Sequence, residues 1–274
     1  MPNATHRGGL FPALLKHWRG QRGLSQLDLA LAADVSSRHI SFLETGRSAP
    51  STEMILRLAA TLDVPLRQVN AMLQSAGFEP VYSEPPPEEA LPDEIASAIQ
   101  LMKEHHEPFP LMVVDRNYDV IDLNTGSLAL FASVMGGPLI LEGKLNLVRL
   151  TFDPNGAQQA LLNFDEVGSA LLWRMQREVL ANPEDTQLRE LLEEILAMPT
   201  VKDDWRKVDL SVPSSPAIVV HLRGKEHEFR FITTITAFQA PQTVRIDELR
   251  IETWFPCDKA TAEACRQLAK DMLF

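Results

Sequence analysis

The sequence has little cysteine and no long apolar run, and these two absences exclude several classes of protein. Its 274 residues include only two cysteines, Cys257 and Cys265, whose spacing of eight residues suits neither a disulfide framework nor a metal-binding set. We therefore expect reduced thiols, as in a cytoplasmic protein, with a redox-sensing pair as the alternative. No apolar run is long enough to span a membrane, and the short run at 10–15 ends at Lys16 without the features of a signal peptide.

The sequence also lacks the short motifs that mark common enzymes. It contains no G-x-S-x-G, P-loop, G-x-G-x-x-G or H-E-x-x-H pattern. His221 and His227 flank a predicted hairpin and, with Glu226 or Glu228, could form a metal site, but no second cue supports one. We predict no catalytic residue, no metal site and no cofactor, and therefore no enzyme.

Charge is unevenly distributed along the chain. The formal net charge is −11, but residues 1–78 contain eight Lys or Arg and five Asp or Glu, whereas residues 79–274 contain eighteen and thirty-two. The first part therefore carries a net charge of +3 and the second a net charge of −14. If the chain binds nucleic acid, its first 78 residues are the part suited to phosphate contact.

The segment 24–51 has the pattern of two short helices joined by a tight turn. Leu29 and Ala33 form one apolar helical face, and Ile40 and Leu43 form another. The turn and the helix starts carry suitable residues: Val35 at the corner, Asp34 where a left-handed backbone is tolerated, and Ser25 and Ser36 as N-caps. This pattern predicts a helix-turn-helix, so DNA is the first partner to consider.

An ordered set of residues in this region resembles the Cro/repressor-type (XRE-family) helix-turn-helix domain of five helices. The set is Leu24-Ser25-Gln26, Leu29-Ala30, Val35-Ser36, Ile40-Ser41, Leu43-Glu44, Gly46-Arg47 and Pro50-Ser51. We predict helices at Leu10–Gln21, Gln26–Ala33, Ser37–Glu44, Ser51–Leu62 and Pro65–Ala76. The resemblance implies that Arg19 and Glu44 form a partly buried structural ion pair, which sets the angle of the recognition helix.

The recognition helix at 37–44 is expected to present one edge to the major groove. The residues on that edge are Ser37, Arg38, Ser41 and Phe42. Arg38 could bind a guanine edge through two donors, and the two serines discriminate less among bases. The Phe42 ring could pack on a thymine methyl group or, alternatively, fold back onto the domain.

Further contacts are expected with phosphate groups of the DNA. Gln26 at the start of the second helix should hold one phosphate, and Arg47 with the helix start at Ser51 should hold another. Ser36 is included among the DNA contacts, although capping is its simpler role. One such domain reads few base pairs, so two copies about 34 Å apart on the duplex are expected, which predicts a homodimer.

An acidic, proline-rich stretch divides the chain. We assign residues 1–80 to the helix-turn-helix domain, 81–92 to a linker and 93–274 to a ligand-binding and dimerisation domain. In the second domain the predicted strands are Leu111–Val114, Val120–Leu123, Ala217–Arg223, Glu228–Phe238 and Val244–Phe255. A helical block at Leu145–Ala197 and a last helix at Lys259–Leu273 complete an α+β domain of the PAS type.

The stretch PFPLMVVDRNYDVIDLN (Pro108 to Asn124), joined by that linker to this helix-turn-helix type, resembles the MmyB-like transcription regulators. The resemblance implies a PAS-like domain that binds fatty-acid-type ligands, although the family usually has Trp where this chain has Tyr118. Candidate pocket residues are Leu128, Phe131, Phe152, Trp173, Phe231 and Phe255, with ordinary core packing as the alternative for each. A ligand carboxylate could meet Arg149, Arg174, Arg177, Arg230 or His221.

Two functions from different classes remain. The first is a dimeric, sequence-specific DNA-binding transcription regulator whose C-terminal domain senses a small apolar, fatty-acid-like ligand. The alternative is a DNA-binding regulator whose C-terminal domain is only a dimerisation or protein-interaction module. A cavity lined by apolar residues would favour the first, and a solid core with an exposed apolar patch would favour the second.

Overall fold

The computed structural model describes residues 10–86, 89–137, 144–182, 185–206 and 217–272, and the chain divides into two compact units. The first unit comprises Met1–Glu89 and Phe238–Asp247, and the second comprises Ala90–Ala237 and Glu248–Phe274. The first unit is therefore built from two separate segments of the chain. No helix within the described ranges is long and apolar enough to cross a membrane.

Five helices form the body of the first unit. They are α1 Leu10–Gln21, α2 Gln26–Ala32, α3 Ser37–Glu44, α4 Thr52–Thr61 and α5 Leu66–Ser75. Each helix contributes buried apolar side chains to one core, among them Leu15, Leu29, Ile40, Ile55 and Met72. The observed bounds differ from the predicted ones by no more than one residue at each end, which confirms the five-helix domain.

Local hydrogen bonds fix the corner between α2 and α3. Asp34 has φ +53°, the left-handed conformation that this turn requires. Ser25 and Asp28 form a capping box, in which the Ser25 hydroxyl accepts from Asp28 N at 3.1 Å and the Asp28 carboxylate accepts from Ser25 N at 2.9 Å. The Ser36 hydroxyl accepts from His39 N at 3.2 Å and so defines where α3 begins.

The second unit is an α+β, PAS-like domain built on a five-stranded antiparallel sheet. The strands are β1 Leu111–Val114, β2 Val120–Leu123, β3 Ile218–Arg223, β4 Glu228–Thr236 and β5 Arg250–Pro256, in the spatial order β2-β1-β5-β4-β3. The central strand β5 pairs with both β1 and β4, so the early hairpin and the late strands share one sheet. This arrangement confirms the predicted fold class.

The helices that follow α5 are α6 Asp93–His106, α7 Thr125–Met135, α8 Leu147–Phe152, α9 Phe164–Ala181, α10 Thr186–Leu196, α11 Val244–Asp247 and α12 Lys259–Asp271. All except α11 belong to the second unit. One core cluster includes Phe229 and Phe231 of the sheet, and another includes Phe152, Leu172 and Met175 of the helices. The predicted end of the last helix, Leu273, lies outside the described residues.

Between β4 and β5 the chain contributes a short stretch, Phe238–Asp247, to the first unit; we call it the return segment. Val244 and Ile246 of this segment are buried, and Val244 N donates a hydrogen bond to Ser83 O at 3.1 Å. The Asp247 carboxylate accepts a hydrogen bond from Leu66 N at 2.9 Å. It thereby caps α5, whose own N-cap residue is a proline without a side-chain acceptor. The predicted domain boundaries place this segment in the C-terminal domain, whereas here it groups with the helix-turn-helix.

The prediction of one continuous strand at Val244–Phe255 is wrong in its first part. Residues Val244–Asp247 form α11, and the strand begins at Arg250. Val244 and Ile246 alternate with polar residues, which imitates the pattern of a strand. The Thr243 hydroxyl instead accepts a hydrogen bond from Ile246 N at 3.3 Å, which favours a helical turn.

Candidate functional sites

The predicted base-contact residues lie on the outer side of α3. Ser37 and Arg38 are exposed, and Ser41 and Phe42 are partly exposed. The opposite side of the helix is fully buried through Ile40 and Leu43. The helix therefore has one face that anchors it in the core and another that is free to contact a partner.

The ring of Phe42 is flanked by two guanidinium groups. The Cζ atoms of Arg38 and Arg47 lie 5.1 Å and 5.9 Å from the ring centroid. Cation–π contacts of this kind restrict the positions of long side chains at an exposed surface. Of the two orientations considered from the sequence, the ring stays at the surface and is not folded into the core. It lies next to both arginines that are expected to contact DNA.

Arg19 of α1 and Glu44 of α3 form a two-point ion pair. The Nε–Oε1 and Nη2–Oε2 distances are 2.6 Å and 3.0 Å, and the two side chains are 15% and 3% exposed. The remaining guanidinium nitrogen, Nη1, donates to Leu24 O at 2.7 Å. Burial acts to raise the pKa of Glu44, but hydrogen bonds from Arg19 and Gln26 outweigh it, and the pKa lies below its usual value. The pair joins the recognition helix to α1.

The predicted phosphate contacts have different surroundings. Gln26 Nε2 donates to Glu44 Oε2 at 2.7 Å, so this amide is already used within the domain. The Ser51 hydroxyl accepts from Met54 N at 3.2 Å and caps α4, as Ser36 caps α3. Arg47 is exposed. Arg47 is therefore the side chain best placed for phosphate, while the two serines mark exposed helix starts, and a helix start favours an anion.

The second unit contains a cavity with an empty volume of about 730 Å³, which includes space open to solvent. It is lined by residues of α7, α8, α9, β3, β4 and β5, together with the turn between β1 and β2 and with Ala157 and Leu161 between α8 and α9. Seventeen residues of the described ranges line it, and twelve of these are apolar. A mostly apolar cavity with a few polar groups is typical of a small-molecule binding site.

The sequence prediction of the cavity residues needs correction. Of the six predicted residues, Phe131 lines the cavity. Phe152 and Phe231 are fully buried in the core, Trp173 is partly buried outside the lining, and Leu128 and Phe255 are 37% and 43% exposed. These residues share a large side chain but not a common face, because bulk alone does not indicate which way a side chain points.

A spacing signal for the cavity was present in the sequence. Val167, Leu171 and Arg174 of α9 line the cavity at intervals of four and three residues, which is one face of a helix. Ile218, Val220 and Leu222 of β3 alternate along a strand and line it as well. Among the cations considered from the sequence, Arg174 reaches the cavity lining, whereas Arg149 pairs with exposed Glu194.

Polar groups cluster at one part of the cavity wall. Tyr118, Arg174 and Glu252 line it, and the Tyr118 hydroxyl donates to Glu178 Oε2 at 2.8 Å. The Glu252 carboxylate accepts from Trp254 Nε1 at 3.1 Å. The Arg174 Cζ lies 5.6 Å from the Tyr118 ring centroid, and its buried Nε has no hydrogen-bond partner among the described residues. We call Tyr118, Arg174, Glu178 and Glu252 the polar cluster.

Burial shifts the pKa values of the whole polar cluster. Burial raises the pKa of Glu252 and of Glu178, although Arg174 acts to lower both. Burial alone would lower the pKa of Arg174, but Tyr118, Glu252 and Glu178 raise it. Burial also raises the pKa of Tyr118, so its hydroxyl stays protonated. The cluster thus contains one permanent cation and two carboxyl groups that resist ionisation.

The turn between β1 and β2 positions Tyr118. Asp115 Oδ1 accepts hydrogen bonds from Asn117 N at 2.8 Å and from Asp119 N at 3.0 Å. Tyr118 has φ +64°, an uncommon conformation that this tight turn imposes. The side chain of Tyr118 is therefore held in the cavity wall.

Histidine and cysteine side chains are the candidate metal ligands and thiol groups in the described part of the chain. No group of three or more His, Cys, Asp or Glu there could hold a metal ion. His221 Nε2 lies 3.2 Å from Glu228 Oε2. Burial raises the pKa of Cys265 to about 12, so its thiol is protonated, and Cys257 is exposed.

Two protein families match the chain. A helix-turn-helix family matches residues 15–69, and the family described as MmyB-like transcription regulator ligand binding domain matches residues 95–268. No curated protein matches the chain. A solved structure titled "Structure of an RNA-binding Light-Oxygen-Voltage Receptor" is similar at 15% identity with a TM-score of 0.27; it covers 90% of this chain, which spans 61% of the length of that protein.

Both matching families belong to transcription regulators and neither is a family of enzymes. The second match covers more than half of the chain. The protein is a DNA-binding transcription regulator with a ligand-sensing domain, and the chain belongs to the MmyB-like transcription regulator family.

Proposed function

We propose that this regulator binds a specific operator as a homodimer and that an apolar ligand with an acyl chain, similar to a fatty acid, controls the binding. The observation that carries the proposal is the cavity of the second unit, whose lining is mostly apolar among the residues described. Such a cavity accepts a flexible hydrocarbon chain because burial of apolar surface drives binding without directional demands. The ligand changes operator affinity only if it binds two states of the protein differently.

The exposed side of α3 supports direct reading of bases. Arg38 supplies two parallel donors for guanine O6 and N7, and the adjacent Phe42 ring offers an apolar edge to a thymine methyl group. Ser37 and Ser41 add contacts with less discrimination among bases. Arg47, with the starts of α2, α3 and α4 at Gln26, Ser36 and Ser51, contributes phosphate contacts that fix the register on the duplex.

An apolar stripe on the sheet of the second unit supports dimerisation. Val219 of β3 pairs with Ile232 of β4, which in turn pairs with Phe255 of β5. These three side chains are 40%, 39% and 43% exposed and lie side by side on one face. A second copy is the partner that a regulator of two operator half-sites needs, and adjacent exposed apolar side chains favour such contacts.

The DNA assignment is tested with an operator selected from random duplexes by the full chain. The Arg38→Ala variant should lose about 1–3 kcal/mol of binding free energy on that operator, because one bidentate base contact is lost. Arg57→Ala is the matched control, since Arg57 lies on α4 and pairs with exposed Glu53. Equal operator affinities for wild type and Arg38→Ala would remove the assigned role of Arg38.

The ligand and dimer assignments are tested by native mass spectrometry of the purified chain, compared with its denatured mass. A copurified adduct of acyl size on a dimer supports both assignments. A ligand-free dimer that no acyl compound stabilises against heat would instead favour a pure dimerisation module. A single chain of 30.6 kDa, both free and on DNA, would contradict the homodimer.

A further inference from the structure

The chain passes from one unit to the other at three points, which we call the crossing points. They follow Glu89, Ala237 and Asp247. The first lies in the linker, and the other two are the ends of the return segment. A change in one unit that travels along the covalent chain must pass through one of these points. The three differ in how firmly the chain is held on each side.

The crossing point after Asp247 is held on both sides by side-chain contacts. In the first unit the Asp247 carboxylate accepts from Leu66 N at 2.9 Å. In the second unit Glu248 Oε2 lies 3.6 Å from Arg116 Nε, Leu249 is 1% exposed, and β5 begins at the next residue. Consecutive Cα atoms are only about 3.8 Å apart. Two adjacent residues are thus bound to different units, which leaves the chain little conformational freedom between them.

The other two crossing points are held less firmly or lead away from the cavity. Around the crossing point after Ala237, residues 236, 237, 239 and 240 are exposed. The linker leads into α6, a helix that is largely exposed and buries Ile99. α6 contributes no residue to the described lining of the cavity. Neither route therefore joins the cavity to the first unit as directly as the one through Asp247.

The chain that follows Asp247 enters the cavity wall within a few residues. Glu252 and Trp254 of β5 both line the cavity. Arg116, which contacts Glu248, belongs to the turn that places Tyr118 in the same wall. A ligand that displaces either β5 or this turn therefore also displaces the residues that hold Glu248.

On the side of the first unit, Asp247 acts on a helix of the helix-turn-helix core. Met72 of α5 is fully buried in the same cluster as Leu15 of α1, and α1 carries the arginine that pairs with Glu44 of the recognition helix. The first turn of α5 has two arrangements, one capped by Asp247 and one uncapped with unsatisfied N–H groups. A pair of states of this kind is what coupling between two sites requires.

We propose that the return segment transmits the ligand state of the cavity to the recognition helix, through formation or release of the Asp247 cap on α5. This inference rests on the proposed function, because it concerns the control of operator binding assigned there. A side-chain cap shifts an equilibrium about fivefold, so the ligand changes operator affinity through it by about fivefold. The linker only tethers the two units.

The first test compares one insertion at two crossing points of the full chain. Gly-Ser-Gly is inserted after Asp247 in one variant and after Ala90, in the linker, in the other. Affinity for an operator selected from random duplexes is measured by fluorescence anisotropy, with and without saturating decanoic acid as the probe. Decanoic acid should change operator affinity about fivefold in the wild type and the linker variant, but less than about 1.5-fold in the Asp247 variant. Thermal melting and calorimetry with decanoic acid verify that both variants fold and still bind the probe.

The second test needs no ligand. Glu248→Ala removes a contact of the second unit and gives the neighbouring Asp247 more freedom, so the cap forms for less of the time. Hydrogen exchange of the first amides of α5, which belong to the first unit, should become about threefold faster. Glu194→Ala is the matched control, because it breaks the exposed pair with Arg149 in the same second unit. It should leave the exchange of α5 unchanged.

The results separate this inference from the proposed function. An insertion after Asp247 that keeps the wild-type effect of decanoic acid, or a linker insertion that abolishes it, would overturn the inference and leave ligand control standing. Unchanged exchange of α5 in Glu248→Ala would overturn the inference as well. Decanoic acid that does not change the operator affinity of the wild type would instead overturn the proposed control by an acyl ligand, and the inference with it.

Discussion

Each unit contains a partly buried arginine, and the two arginines differ in how completely their donor atoms are hydrogen-bonded. In the helix-turn-helix unit, the Nε, Nη1 and Nη2 atoms of Arg19 all donate to Glu44 or to Leu24 O. In the ligand unit, Arg174 lines a cavity, and its buried Nε has no hydrogen-bond partner among the residues that the structure describes. An ion pair whose donors are all hydrogen-bonded favours one fixed geometry. A cluster with an unpartnered donor can still form a hydrogen bond with a ligand.

The largest effect on stability is expected from breaking the ion pair of Arg19 and Glu44. The Arg19→Ala variant leaves the Glu44 carboxylate buried without its cation, so the free energy of unfolding of the first unit should fall by about 3–5 kcal/mol. Operator binding should be lost with it, because the recognition helix loses the ion pair that fixes its angle against α1. Chemical denaturation and DNA titration measure the two effects.

The exposed pair of Arg57 and Glu53 gives the control for this prediction. Arg57→Ala breaks an exposed pair on α4 and should change the free energy of unfolding by less than about 0.5 kcal/mol. Replacing both members of the buried pair, Arg19→Met with Glu44→Met, should restore most of the lost stability. Wild-type operator binding by Arg19→Ala would show that the pair does not orient the recognition helix.

A smaller pair of effects comes from two helix caps, one in each unit. Asp247→Ala removes the acceptor of Leu66 N at the start of α5, and Asp258→Ala removes the acceptor of Thr261 N at the start of α12. Each loss should cost about 1 kcal/mol. Amide hydrogen exchange should report faster opening of α5 in the first variant and of α12 in the second. Faster exchange of α12 but not of α5 in Asp247→Ala would contradict the assignment of the return segment to the first unit.

The smallest expected effect is a difference in pH dependence between the units. The pKa of Glu44 is lowered in the folded state, so its contribution is present above the usual carboxyl pKa and is lost as pH falls through the folded value. The pKa values of Glu178 and Glu252 are raised, so their contribution is present below the usual carboxyl pKa and declines as pH rises through the folded values.

Comparing each variant with the wild type separates the contributions of these carboxyl groups to the pH dependence of stability. Glu44→Gln should remove acid sensitivity from the first unit, and Glu252→Gln should weaken the loss of stability of the second unit with rising pH. Unfolding followed by hydrogen exchange at several pH values, unit by unit, gives the slopes. Slopes of the same sign in the two wild-type units would indicate that other titrating groups dominate.

The helices of the first unit could be predicted because the residues that determine their bounds act on nearby positions of the chain. Caps at Ser25, Ser36 and Ser51 and the left-handed residue at Asp34 each act within a few positions of the chain, so the helix bounds follow from the sequence. The return segment was not predictable in the same way. The Asp247 carboxylate caps a helix whose start lies 181 positions earlier, and no local sequence pattern predicts that contact.

The cavity was harder to predict than the recognition helix for a related reason. The α3 residues follow from one helix and its period, whereas the cavity combines faces of three helices and three strands. Phe152 and Phe231 have the bulk of ligand-contacting residues and yet are fully buried in the core. Tyr118 and Glu252 line the same cavity because β5 pairs with β1, and that pairing is set by the whole domain.

The return segment has a practical consequence for any attempt to transfer the DNA-binding unit to another protein. A fragment that stops in the linker would carry α5 without its cap, and it would expose the surface that Val244 and Ile246 cover. A chimera with a foreign sensor would inherit the same defect unless residues 238–247 were transplanted as well. The DNA-binding unit and the ligand-binding unit of this regulator therefore cannot be exchanged by one cut in the linker, because the segments of the two units alternate along the chain.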